Sequence, residues 1–334
     1  MLNPFENIKI PPKTEDLIKI VLDRIPKIGG KNVKEREIKR ILFYKEQLQK
    51  YRDFVLQFPR IDQLHPFYRE NIEIIADIDK VKMCLGAINR GVQLSFNIIE
   101  RYRRLIKSSD EKEANRLMRQ CFGRVSSILR SRKDCIDWLI DITSQLKKLK
   151  AIDPNLPTII IAGPPNVGKS TLVSKISSAK PEVASYPFTT KEIHVGHIDT
   201  GIVKIQVIDT PGILDRPMSE RNSIELKAIN AIKNLNGIIL FLFDVSNSSI
   251  YSAKEQLDLY KEVKSIKSVV IPVLNKIDDK NEELYKQIKE NILEKVFEIS
   301  AEKNIGLDTL LNYVINLLQN GQILDKRDIY LNSG

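Results

Sequence analysis

A chain of 334 residues is long enough for two domains of ordinary size, each with its own core. Its formal charge of +10 is uneven: residues 1–150 carry 32 basic against 20 acidic side chains (+12), residues 151–334 carry 21 against 23 (−2). Three cysteines without a C-x-x-C pair argue against a zinc site or a disulfide framework and predict a reducing cytoplasm, and neither a signal peptide nor a membrane-spanning run is expected.

The first predicted helix covers Thr14 to Arg24 and is closed off by Pro26 and Gly29-Gly30. From Val33, the apolar residues Ile38, Ile41, Leu42, Leu48, Tyr51, Val55 and Phe58 recur at helical steps. A second stripe runs from Val81 to Ile99 and a third from Val125 to Leu146. Between the first two stripes, Phe58–Tyr68 carries two prolines and reads as a structured loop, with His65 a packed residue and not a catalyst. Long helices with short connections predict an up-and-down bundle. Residues 101–150 alone hold 14 basic and 6 acidic groups. Arg101, Arg103, Arg104, Lys107, Arg116, Arg119, Arg130 and Arg132 are the candidate contacts for a phosphate backbone. Such asymmetry points to a polyanionic partner, nucleic acid before membrane. The bland alternative is the solvated, lysine-rich face of a heat-adapted protein.

Two prolines in Ala151–Pro157 stop the helical part and set the predicted boundary, with a basic bundle at 1–153 and an α/β domain at 154–334. Strands are predicted near 158–162, 192–198, 203–208, 238–243, 269–274 and 296–299. Helices fit near 169–178, 222–234, 252–266, 281–293 and 306–320. This alternation implies a doubly wound, mostly parallel sheet with ligand at the strand C-termini.

The first strand runs into Gly163-Pro164-Pro165-Asn166-Val167-Gly168-Lys169-Ser170-Thr171, a G-x-x-x-x-G-K-[ST] phosphate loop in its strand–turn–helix context. Gly163 and Gly168 let backbone N–H groups face a polyphosphate, Lys169 supplies positive charge, and Ser170 offers its hydroxyl to Mg²⁺. Four more stretches follow in the order of a guanine-nucleotide switch. Tyr186–Thr190 holds a threonine able to close over Mg²⁺. In Asp209-Thr210-Pro211-Gly212, Asp209 can hold Mg²⁺ through water and the Gly212 N–H can meet the γ-phosphate. In Asn275-Lys276-Ile277-Asp278, Asp278 accepts from the N1–H and 2-amino group that adenine lacks, Asn275 braces the loop and the Lys276 stem covers the base. Ser300-Ala301-Glu302 brings a backbone N–H to the guanine O6.

These stretches, together with Phe58–Tyr68, Pro187–Lys191, Val195-Gly196-His197 and Asp209–Asn222, resemble the nucleolar GTP-binding (Nog-type) family of Obg-related GTPases. The likeness spans about residues 30–320. It implies an N-terminal all-α bundle ahead of a P-loop GTPase domain, Mg²⁺-dependent GTP hydrolysis, and a part in maturing the large ribosomal subunit with its rRNA as partner. A cytoplasmic protein, monomeric off the ribosome and without a membrane partner, is expected. Eukaryotic members continue well beyond the G domain, so the resemblance is to the compact archaeal form. It favours Thr190 over Thr189 as the Mg²⁺ ligand. Asn166 matches the K⁺-ligating asparagine of potassium-dependent GTPases. Lys169, Thr190 and Gly212 are the expected catalytic groups.

Ile213 stands where many GTPases place a water-orienting glutamine, and no arginine finger is evident, although Arg216 and Arg221 lie close by. Slow intrinsic hydrolysis is therefore expected, since an arginine finger is worth about 10³–10⁵ in rate. The alternative function is a signalling-type switch whose bundle binds a protein effector. His194 and His197 are assigned to the strand that follows Tyr186–Thr190.

Overall fold

The computed structural model describes residues 3–149, 152–185, 192–209, 214–221 and 223–319. Its contacts divide the chain into a helical unit, Pro4–Leu64 with Ile75–Lys147, and a sheet unit that takes in His65–Ile74 and the chain from Lys148 onward.

Helices α1 (Thr14–Arg24), α2 (Val33–Gln57), α3 (Pro66–Ile75), α4 (Ile78–Ser108), α5 (Glu111–Arg130) and α6 (Lys133–Leu146) follow in chain order. Three of them start on a side chain that accepts a first-turn N–H: Asn32 from Glu35, Asp77 from Lys80 and Asp110 from Glu113. On α2, residues Ile41, Tyr44, Leu48, Tyr51 and Phe54 are buried, and on α4 so are Val81, Ile88, Val92, Ile99 and Ile106, the three- and four-residue rhythm of one apolar face. Each side chain of this size buried contributes about 1.5–3 kcal/mol. The third predicted stripe is not one helix. It crosses a break at Ser131–Arg132, where the Arg132 guanidinium donates to the carbonyls of Ala87 and Ile128.

Two further departures from the sequence reading belong to this part of the chain. Phe58–Tyr68 is a loop only as far as His65. Pro66 then opens α3, because a proline in the first helical turn lacks only an N–H that would be unpaired there. His65 Nδ1 accepts from the Phe67 N–H, so this histidine caps a helix, as a packed residue should, and burial lowers its pKa. Against the expectation of no disulfide, Cys84 on α4 and Cys135 on α6 are joined, their Cα atoms 5.0 Å apart. Cys121 is a free, buried thiol. One carboxylate of the bundle is wholly enclosed: Glu37 accepts from Arg36 Nε at 2.8 Å, from Arg40 Nη1 at 3.1 Å and, more weakly, from Asn115 Nδ2 at 3.5 Å.

The sheet unit holds β1 (Thr158–Ala162), α7 (Lys169–Ile176), β2 (Glu182–Ser185), β3 (Glu192–Asp199), β4 (Lys204–Asp209), α8 (Ser223–Lys233), β5 (Gly237–Asp244), α9 (Ala253–Ile266), β6 (Val270–Asn275), α10 (Glu282–Glu290), β7 (Phe297–Glu298) and α11 (Leu307–Gln319). Strand order is β2-β3-β4-β1-β5-β6-β7, with β2–β3 and β3–β4 antiparallel and the rest parallel. Every residue of β1 and β5 is buried, as central strands covered on both faces require. The edge strand β2 is absent from the sequence reading; four residues following a proline carry too little pattern to announce a strand. Among the described residues, no helix is long and apolar enough to cross a membrane.

Candidate functional site

The C-terminal ends of β1, β4, β5 and β6 converge, and the loops that leave them carry the chemistry. After β1 the backbone turns through three left-handed residues, Gly163 (φ 138°), Asn166 (φ 62°) and Gly168 (φ 97°), before entering α7. Two of these positions admit no side chain: a Cβ at Gly163 would lie 2.4 Å from the Leu242 carbonyl oxygen, and one at Gly168 would lie 2.5 Å from Asn275 Nδ2. The loop is thus shaped by its neighbours as well as by its own torsions. Lys169 is buried, and its ammonium donates to the Gly163 and Pro164 carbonyls at 2.8 and 2.7 Å, within the loop it is predicted to serve. Val167 is buried beneath the loop, whereas Ser170 and Thr171, in the first turn of α7, are exposed residues.

Ser170 Oγ donates to Asp209 Oδ2 at 2.5 Å, so the first turn of α7 and the end of β4 are in direct contact. Asp209 is completely buried, and its Oδ1 has no hydrogen-bond partner among the described residues. A hydroxyl and a carboxylate converging in this way, with one buried oxygen left over, fit a hard divalent cation that draws its other ligands from water and phosphate. No group of three or more His, Cys, Asp or Glu side chains suited to a metal occurs among the described residues, so the protein offers no closed metal cage there. Thr190 (with Thr189), Gly212 and Ile213 lie outside the described residues.

On the base side, Asn275 is the joint. Its Nδ2 donates to the Val167 carbonyl at 2.8 Å and its Oδ1 accepts from the Ala301 N–H at 3.0 Å. One buried amide thereby ties the phosphate loop, the end of β6 and the Ser300–Glu302 loop together. Lys276, left-handed at φ 65°, is held by Asp244, with Nζ 2.6 Å from Oδ2. Asp278 is held by the Ser300 hydroxyl and by Lys303, whose Nζ is 3.1 Å away; these two, the hydroxyl first, keep its carboxyl below the usual aspartate range. Asp278 therefore stays ionised at neutral pH, an acceptor only. Ser300 and Ala301 are buried and Glu302 is exposed.

Asp244, Ser246 and Gln256 belong to this site but escaped the sequence reading. Asp244 ends β5, next to Asn275 in the sheet register, and its Oδ1 accepts from the Ser246 N–H and hydroxyl at 2.9 and 2.6 Å. Gln256 on α9 brackets the Asp244 backbone, accepting from its N–H and donating to its carbonyl. The available signal was positional: Asp244 is the first polar residue after the apolar run Gly237–Phe243.

The two arginines considered as fingers are engaged inside their own segment. Arg216 pairs with Glu225 at 2.7 Å, and the buried Arg221 donates to the Arg216 carbonyl. Burial lowers the Arg221 pKa, with Asp215 acting in the opposite sense. The Gly163 N–H donates to the Leu214 carbonyl at 3.1 Å, which fastens this segment to the phosphate loop. His194 and His197 both lie on β3, as expected.

The basic candidates of the bundle separate into two groups. Arg130 forms a two-point pair with Glu15, Arg116 pairs with Glu113, Arg103 with Glu100, and Arg132 is spent on carbonyls. Arg101, Arg104, Lys107 and Arg119 are exposed, with no ion pair among the described residues. Arg101 and Arg104 flank one hollow of about 400 Å³ on the surface of α4.

Comparison with known proteins bears on both parts of the chain. Residues 5–153 match the model of the NOG1 N-terminal helical domain, and residues 158–276 match that of the 50S ribosome-binding GTPases. A nucleolar GTP-binding protein 1 of Drosophila melanogaster is 35% identical over 316 residues, which is 90% of this chain and 48% of that protein. The Dictyostelium discoideum counterpart is 36% identical over 85% of this chain and 44% of its own length. An uncharacterised protein of Methanocaldococcus jannaschii is 41% identical over 72% of this chain and 67% of its own. A crystal structure of a Plasmodium falciparum nucleolar GTP-binding protein 1 has 36% identity, covering 55% of this chain and 98% of that one at a TM-score of 0.47. The chain spans about half the length of the Drosophila and Dictyostelium proteins. With a NOG1-type helical domain leading directly into a P-loop GTPase domain, the chain belongs to the nucleolar GTP-binding protein 1 family.

Proposed function

We propose that this chain binds GTP and GDP with Mg²⁺, hydrolyses GTP slowly on its own, and serves as an assembly factor of the large ribosomal subunit whose helical part binds rRNA. The observation that carries the reading is that Asn275 ties the phosphate loop to the Ser300–Glu302 loop, which holds Asp278, in a chain whose residues 1–150 carry a charge of +12. The description of the matched GTPase model as ribosome-binding supports it. Ser170 and Asp209 are the described residues that would hold Mg²⁺, and Thr190 is proposed as a third ligand. Bound there, the ion would supply positive charge to polarise phosphate oxygens. The rest of the work belongs to the chain: the phosphate loop fixes the polyphosphate through backbone N–H groups, Lys169 leaves its loop carbonyls for the phosphate oxygens, and Gly212 contributes an N–H at the γ-phosphate.

The ribosomal part is tested with the full-length chain and free large subunits. Co-sedimentation in GTP but not GDP is expected, falling steeply with salt. Arg101, Arg104 and Lys107 are the side chains to reverse, because they are exposed, whereas Arg103 is tied to Glu100. Changing all three to Glu should flatten the log–log salt slope by about 2–3, since neutralising one phosphate releases roughly 0.7–0.9 counterion. GTP affinity should not change. Binding indifferent to these reversals would favour a protein effector.

Asn166 carries a second proposal, that K⁺ supplies the charge an arginine would otherwise bring. Its side chain is exposed and takes part in no hydrogen bond among the described residues, but its left-handed backbone alone would also favour asparagine. Asn166→Gly separates the two, keeping the turn and removing the carbonyl. Faster hydrolysis in K⁺ than in Na⁺, abolished by Asn166→Gly with GTP affinity kept, is the expected result. Equal rates in the two salts reject it.

A further inference from the structure

We propose that His194 is a positioning residue for Asp209, donating from Nδ1–H to Oδ2 so that Oδ1 is kept turned toward the Mg²⁺ site; the inference rests on the Mg²⁺ reading of Ser170 and Asp209 given above. Strands β3 and β4 are antiparallel and His194 stands directly opposite Asp209, a register that places both side chains on one face of the sheet. The imidazole Nδ1 lies 3.7 Å from Asp209 Oδ2. That Nδ1 is buried and has no hydrogen-bond partner among the described residues, while about a third of the side chain is exposed. A buried ring nitrogen facing a buried carboxylate at this distance needs only a small ring rotation to reach hydrogen-bond length.

The division of labour within the carboxylate follows from the contacts. Oδ2 already accepts from Ser170 Oγ, so a second donor on Oδ2 fixes the plane of the group from the β3 side. Oδ1, the buried oxygen without a partner, is then the one left for the cation or its water. Partners that orient a metal-holding carboxylate typically matter by 10–100-fold in metal affinity. Nothing in the residue type would have marked His194 out, because a histidine in a strand is ordinarily a packing residue. Its place opposite Asp209 is a property of the register.

The test uses the full chain, fluorescent GDP and a Mg²⁺ titration. For the parent, GDP release should slow as Mg²⁺ rises. His194→Phe keeps the ring and removes the donor, and should raise the half-maximal Mg²⁺ concentration by about tenfold without altering release in excess EDTA. His194→Asn returns an N–H near the position of Nδ1 and should restore most of the loss. An unchanged midpoint in His194→Phe, or His194→Asn as impaired as His194→Phe, overturns the proposal. A parent whose GDP release ignores Mg²⁺ sinks the metal reading itself, and this proposal with it. Nitrogen-15 spectra give an independent check, since the chain has only 3 histidines. The GDP·Mg²⁺ form should carry the His194 proton on Nδ1, and a proton on Nε2 alone contradicts the donation.

Discussion

Asp278→Asn should lower GTP affinity by about 10²–10⁴-fold and make xanthosine triphosphate the better ligand. An ionised carboxylate held by Ser300 and Lys303 presents acceptors only, and guanine answers with N1–H and its 2-amino group. Hydrogen bonds to a charged group contribute about 1.5–3 kcal/mol each, and every 1.4 kcal/mol is a factor of ten, which sets the range for losing two. Asparagine keeps an acceptor for N1–H but turns an N–H toward the 2-position. Guanine places a donor there, so two donors collide, whereas xanthine places an oxygen. Displacement of fluorescent GDP by each triphosphate measures the exchange. Equal GTP affinity in mutant and parent would take Asp278 out of the base-reading role.

Glu37→Ala should unfold the bundle far below the parent temperature while leaving the nucleotide site intact at room temperature. Glu37 is fully buried and neutralises Arg36 and Arg40 together, and the Arg40 side chain is itself only 13% exposed. Removing one partner of a buried ion pair costs about 3–5 kcal/mol, because the charge left behind has neither water nor an acceptor. For a unit of this size that is a fall in Tm on the order of 10 °C. Trp138, the chain's single tryptophan, lies on α6 with Lys80 Nζ 4.3 Å from its ring centre, so its fluorescence reports the bundle alone. Replacing Glu37 and Arg40 together by methionine should recover part of the loss, as the one charge then left without its partner, Arg36, is 35% exposed and can reach water. A Tm unchanged in Glu37→Ala would show that the arginines find other partners at little cost.

The parts of the site that were legible from sequence are those written within a few consecutive residues. Gly163–Thr171 announces its turn, its lysine and its hydroxyl at once, and Asn275–Asp278 announces a polar loop at the end of a buried strand, because each is a local shape made by local residues. What stayed hidden depends on neighbours distant in the chain. Asp244 gains its role from lying beside Asn275 across β5 and β6, and His194 from lying opposite Asp209 across β3 and β4. Cys84 and Cys135, separated by 51 positions, meet only because α4 and α6 pack together. Arg130 read as a free cation until α1 brought Glu15 to it, 115 residues away in sequence. The break between α5 and α6 was masked for another reason, since an apolar stripe can run on across a two-residue turn. The bundle and the mostly parallel sheet were nonetheless readable, because their patterns repeat over many residues and average out such local faults.

Asn275 has a thermodynamic consequence beyond bracing. A single side chain grips the Val167 carbonyl of the phosphate loop and the Ala301 N–H of the Ser300–Glu302 loop, so a ligand spanning the two loops would dock on parts of one framework. On the proposed function, guanosine diphosphate should then be taken up as a chelate: once either end has docked, the other would meet its loop at high effective concentration and with little left to order. Guanosine and pyrophosphate, offered as separate molecules, would forgo that advantage, and the affinity for the whole should exceed what the affinities of its pieces imply.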